Sequence, residues 1–231
     1  MDRANQSAPR SNAAAARLTR QRRTPCWSSI VAAQRAKCAS GCYSRDMIDP
    51  SLVEPEALRP LRRTEYARLV DLGCFDEERV ELLYGMVVRM SAKGPVHDAV
   101  IQRLNEILVL ALQGRAAVRI QSAFAATDAS QPEPDVAVVP PGDYDDGHPS
   151  EAWLIVEVAD TSLLRDRGKA RLYAEAGVNE YWLVDIQHGL VEVHTDIVDA
   201  VYTRVTPYRP GDSIRPQRFP DVEVRVSQML R

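Results

Sequence analysis

Two hydrophobic periods alternate along the chain from Pro60 onward, one helical and one extended. Thr64 is a plausible N-cap for a short helix, Glu65 to Leu72, which Gly73 ends. Arg79 to Met90 reads as a hairpin: Val80-Glu-Leu-Leu-Tyr84, a turn at Gly85, then Met86-Val-Val-Arg-Met90. Gly94-Pro95 breaks that pattern. His97 to Leu112 has apolar residues at Val100, Ile101, Leu104, Ile107, Leu108 and Ala111, the spacing of a helix with one buried face, and Gly114 stops it. Strands are predicted over Val118–Phe124, Asp135–Val139, Trp153–Ala159, Glu180–Val184, Leu190–His194, Val201–Val205 and Val222–Val226. A second long helix is predicted over Leu164–Ala176, stopped by Gly177. Residues 127–134 and 143–150 are polar and read as loops. This order predicts an α/β fold (α+β, with a mixed sheet), its central sheet flanked by helices.

Two of the predicted strands carry a carboxylate where burial is expected. Asp135 opens Val136-Ala-Val-Val139, and Glu157 interrupts Trp153-Leu-Ile-Val-Glu-Val158. A run of this kind is buried on both faces, and a buried carboxylate needs a partner or a cation. By strand alternation Trp153, Ile155, Glu157 and Ala159 share one face. The next helix offers Asp166, Lys169 and Tyr173 on one stripe. A short loop joins the two elements, so Lys169 can fold back beside Glu157. Two carboxylates and one ammonium suit Mg²⁺, which takes one or two carboxylates and keeps several waters. A lysine beside such a metal can orient the attacking water and offset phosphate charge.

Charge divides the chain. Residues 1–46 hold nine basic residues and two acids, a net of +7, while the remainder holds 20 basic and 30 acidic residues, a net of −10. The head is rich in Ala, Ser and Arg and is expected to be disordered. It reads as an upstream reading-frame extension with Met47 as the start, ahead of a transit peptide or a nucleic-acid-binding arm. Residues 47–231 are expected to form a single domain. Of the four cysteines, Cys26, Cys38 and Cys42 lie in the head and Cys74 in the body, with no zinc spacing, so reduced thiols and a cytoplasmic location are expected. No stretch approaches the roughly 20 apolar residues of a membrane span, so no membrane partner is expected.

Pro134-Asp135, Glu157-Val158, Asp166-x-x-Lys169-x-x-x-Tyr173 and Gly177-Val178-x-Glu180-Tyr181-Trp182-x-Val184-Asp185 together resemble the Uma2 family. That family belongs to the PD-(D/E)XK, restriction-endonuclease-like superfamily. Glu81-Leu-Leu-Tyr-Gly85 followed by Met90-Ser91 is similar to the family's opening motif, and His97 before an amphipathic helix also fits. The resemblance covers about residues 60–195. It implies a metal-dependent phosphodiesterase, with Asp135 and Glu157 as metal ligands and the Val158 carbonyl assisting. In the wider superfamily a lysine stands two residues after the glutamate; here that position is Ala159, and Lys169 is the family's migrated substitute. The stretch Ala159-Asp160-Thr161-Ser162 departs from the family's usual sequence, and Asp160 either attracts a second cation or caps the helix. The implied cofactor is Mg²⁺, with Mn²⁺ as a substitute. The implied partner is nucleic acid, DNA first, as substrate, with a homodimer as a permitted assembly.

The main reading is an endonuclease-like hydrolase using Asp135, Glu157, Lys169 and Glu81. A non-catalytic binding or regulatory module that kept the fold, or a small-molecule phosphohydrolase, are the alternatives. Alternation does not decide whether Glu81 is a ligand, an orienting acid or an exposed hairpin residue. His97 starts a helix or lines the cleft. Tyr173 and Tyr181 are expected to pack with bonded hydroxyls, Trp182 to lie in the core, and Asp185 to build a turn.

Overall fold

Alternation of side chains along six strands builds one sheet with an apolar layer on each face. The computed structural model describes residues 57–160 and 162–230. The basic head, Met47 and cysteines Cys26, Cys38 and Cys42 lie outside the described residues, as does Thr161. The sheet joins β3 (Ala117–Ile120), β4 (Val136–Val139), β5 (Leu154–Ala159), β6 (Tyr181–Asp185), β7 (Leu190–Val198) and β8 (Val201–Tyr208) in sequence order. Every neighbouring pair is antiparallel except β5 and β6. A parallel pair needs a crossover, and α3 (Leu163–Glu175) supplies it.

Helix α2 (Pro95–Leu112) covers one face. Its Val100, Leu104, Leu108 and Leu112 pack with Val136, Val138, Val156, Val158 and Trp182. Ala170, Tyr173 and Ala174 of α3 cover the other face, with Ile155, Ala159, Tyr181 and Leu183. Successive residues of β4 and β5 therefore enter opposite layers, and both strands are buried throughout. Trp153 does not follow the predicted alternation. It precedes β5, packs toward the α2 layer and meets the Phe219 ring edge-on at 5.7 Å. A residue outside the strand is released from its pleat.

Before the sheet come α1 (Arg63–Asp71) and a hairpin of β1 (Val80–Leu83) and β2 (Met86–Arg89). Tyr84 and Gly85 close the hairpin with φ of 50° and 78°, the paired positive φ of a two-residue turn. Gly85 is also needed for space: a Cβ there would lie 2.2 Å from the Pro60 Cβ. Leu82 and Gln131 exchange backbone hydrogen bonds, which tie the hairpin to the segment leading into Asp135. After the sheet, β9 (Ser213–Ile214) pairs with β10 (Val224–Arg225), and α4 (Val226–Met229) follows.

Several predicted ends move. The first helix is capped at Arg62 rather than Thr64, because the Glu65 carboxylate accepts the Arg62 N–H at 2.9 Å. The strand predicted to Phe124 stops at Ile120, where Gln121 takes φ 46°. Val222–Val226 supplies only two strand residues before turning helical. Among the described residues no helix is long and apolar enough to cross a membrane.

Candidate active site

Asp135, Glu157, Lys169 and Glu81 line one cleft. They arrive from the lead-in to β4, from β5, from α3 and from β1. Lys169 Nζ donates to Glu157 Oε1 at 3.1 Å and to Glu81 Oε2 at 2.9 Å. Its side chain is 7% exposed, and those of Glu81 and Glu157 are 2% and 5% exposed. Lys169 therefore stands beside Glu157, from the helix rather than from the strand position Ala159. Glu81 is not an exposed hairpin residue; it holds Lys169 and accepts the Glu133 backbone N–H at 3.3 Å. Asp166 is buried, lines the same cleft and accepts the Ser162 hydroxyl.

The two oxygens of each site carboxylate are used differently. Glu157 Oε1 accepts Lys169 and, at 2.7 Å, the Tyr173 hydroxyl. Glu157 Oε2 takes one long bond of 3.4 Å from the Asp135 N–H. Asp135 Oδ2 accepts the Val158 N–H at 2.9 Å and lies 3.1 Å from His97 Nε2. Asp135 Oδ1 holds the Lys93 ammonium. His97 is thus in the cleft, on the first turn of α2. Lys93 was missed by sequence reasoning: it lies in an irregular segment between β2 and α2, where no period marks a residue as inward. Tyr181 donates to the Asp166 carbonyl, Trp182 is fully buried, and Asp185 accepts the His188 N–H in a turn.

The Val158 backbone also faces the cleft. In the parallel ladder Ile155 and Ala159 bond toward β6, so Val158, out of phase with both, turns its N–H and C=O away from β6 and toward Asp135.

Charge is unevenly matched here. Six acids and three full cations, with His97, line the cleft among the described residues. Burial pushes Glu157 up to about 7, against the pull of Lys169 and with added repulsion from Asp135 and Asp166. Lys169 moves the opposite way from what its own burial favours: Glu157 and Glu81 hold it above its ordinary value. The two directions are compatible because one ammonium serves two carboxylates, which leaves Glu157 short of positive charge. Burial raises Asp135 as well, but the His97 bond and Lys93 outweigh it and hold the carboxyl below its usual range.

Among the described residues no three His, Cys, Asp or Glu side chains form a ready-made metal cage. Asp135, Glu157 and the Val158 backbone would offer oxygen donors only, in a cleft with more acids than cations. Oxygen donors of this kind are the ones Mg²⁺ accepts, so these residues would fit a hard divalent cation.

Comparison with known proteins gives two findings. The sequence profile of the family described as "Uma2: Putative restriction endonuclease" matches residues 64–227. A crystal structure described as a "putative nuclease belonging to DUF820", from Anabaena variabilis, shares the fold: the TM-score is 0.61 at 14% identity, over 74% of this chain and 97% of that one. No curated protein matches.

Proposed function

The chain belongs to the Uma2 family, and from that premise we propose that it is a divalent-metal-dependent nuclease that hydrolyses phosphodiester bonds of nucleic acid, DNA first. The observation that carries this reading is the meeting of Asp135, Glu157 and Lys169 in one cleft. Asp135 Oδ1, Glu157 Oε2 and the Val158 carbonyl would hold Mg²⁺ or Mn²⁺. Such a cation, when bound, supplies Lewis-acid chemistry: it lowers the pKa of water and offsets phosphate charge.

The chain's own residues supply position. Tyr173 and Lys169 fix one oxygen of Glu157 and leave the other directed at Asp135. His97 and the Val158 N–H fix one oxygen of Asp135 in the same way. An ammonium has three donors. Glu81 and Glu157 take two of those on Lys169, and the third is left to orient a water against phosphorus. Glu81 acts through Lys169 and is a positioning residue.

The test is plasmid cleavage with Mg²⁺ or Mn²⁺. Asp135→Asn and Lys169→Met are expected to lose cleavage by about 100-fold or more while remaining folded by circular dichroism. Cleavage by Asp135→Asn at the wild-type rate overturns the reading. Phosphate release from nucleotides with intact plasmid would assign a small-molecule phosphohydrolase. Absence of saturable metal binding would assign a non-catalytic module.

A further inference from the structure

The Asp135 carboxylate has two oxygens, and donors from α2, from β5 and from the segment between β2 and α2 engage both of them. Oδ2 faces His97 Nε2 from α2 and the Val158 N–H from β5. Oδ1, the oxygen left for a metal, is already paired with the Lys93 ammonium. The pair is largely out of water: the Lys93 side chain is 15% exposed and that of Asp135 is 5% exposed. Lys169, by contrast, sits on Glu81 and on Glu157 Oε1, away from the face that Glu157 turns toward Asp135. The two lysines of the cleft therefore stand differently toward a divalent cation. Lys169 is beside its place, and Lys93 is in it.

A divalent cation and an ammonium on the same carboxylate oxygen repel each other at contact distance, so each weakens the other's hold on Asp135 Oδ1. Lysine is suited to yield such a position. Its ammonium is a compact, strongly hydrated point charge on a flexible four-carbon stem. Lys93 lies in the short segment between β2 and α2, next to exposed Ser91 and Ala92, so a rotamer change carries the ammonium to water without moving a helix or strand.

We propose that Lys93 is a tethered counter-ion, which holds the cation position on Asp135 and must be displaced for a divalent metal to bind. Metal loading and release of Lys93 are then one event, and Lys93 sets the metal concentration at which the protein loads. The inference rests on the metal reading above and goes beyond it in giving the cleft an internal competitor.

Calorimetric titration of the full chain with MnCl₂ tests this without any turnover. Lys93→Met removes the charge at similar length, and Lys93→Gln does so while staying polar, should the first variant fold poorly. Either is expected to bind Mn²⁺ about ten-fold to a hundred-fold more tightly than wild type, the worth of a charge-assisted hydrogen bond. Lys93→Arg, which keeps the charge, is expected to stay near wild type. Arg165 lines the same cleft without bonding Asp135, and Arg165→Met controls for charge in general. Its effect is expected to stay within about three-fold, as for a partly solvated charge. Wild-type binding that Lys93→Met and Lys93→Gln do not tighten overturns the counter-ion role and leaves the metal reading standing. Equal tightening by Arg165→Met also overturns it. No Mn²⁺ binding by wild type or by either uncharged variant removes the metal reading and this inference together.

Discussion

Glu157 sits where a carboxylate is least comfortable, in the middle of a strand buried on both faces. Its Tyr173 bond is charge-assisted, and such bonds contribute about 1.5–3 kcal/mol, against about 0.5–1.5 for neutral ones. Tyr181 provides the comparison, since its hydroxyl donates at 3.0 Å to the neutral Asp166 carbonyl. At about pH 8, above the value of about 7 to which burial raises Glu157, Tyr173→Phe should therefore destabilise the protein more than Tyr181→Phe. Urea unfolding measures both, and a larger loss from Tyr181→Phe would contradict the assignment. The same discomfort made the site legible. Asp135 and Glu157 stand out in the sequence because charges rarely interrupt runs of Val, Ile and Leu. Lys169 followed from helical spacing. Lys93 had no such marker, because a lysine in a loop is ordinarily solvated and only the fold turns this one inward.

At the scale of elements, the parallel pair β5–β6 and its crossover α3 do the positioning, and the chain entering β6 is secured at Glu180. Glu180 is 1% exposed. It accepts the Trp182 indole N–H at 2.7 Å and the Gln217 backbone N–H at 2.6 Å, which binds the segment after β9 to the sheet. Burial raises its pKa, against the pull of those two bonds. The folded protein thus retains a proton on Glu180 at pH values where the unfolded chain has released it. The stability linked to that proton is full below the ordinary carboxylate range and is lost as pH rises through the raised value. Glu180→Gln does not titrate. Its stability deficit relative to wild type should therefore be larger at about pH 4 than at about pH 7.5. Denaturant midpoints at both values provide the check, and a deficit that grows toward pH 7.5 would refute the assignment. The elements themselves were readable where period and stop signals coincided, as in α2, which Gly114 follows closely. Ends were less readable. Gln121 and Arg62 end or begin elements through a left-handed φ and a side-chain bond, neither of which leaves a compositional trace.

For the whole molecule, charge and site lie in different parts of the chain. All of the cleft's acids and lysines fall between Glu81 and Lys169, inside the family match at 64–227, whereas the net +7 lies in residues 1–46. A polyanionic substrate would be drawn to the head and repelled by a body of net −10, so the head's part in binding can be separated from the chemistry. Each phosphate neutralised on duplex DNA adds about 0.9 to the slope of log affinity against log salt. A chain beginning at Met47 should melt within about 1 °C of the full chain, because the apolar layers that set the melting temperature come from the body. If the head is an extension, as its composition suggests, the shortened chain should also keep the full chain's cleavage rate and salt slope, the latter read by fluorescence anisotropy of labelled DNA in EDTA. A slope lower by about 3 or more would mean that several of the nine basic residues reach phosphate. The head would then be a nucleic-acid arm, separate in the chain from the residues of the candidate cleft.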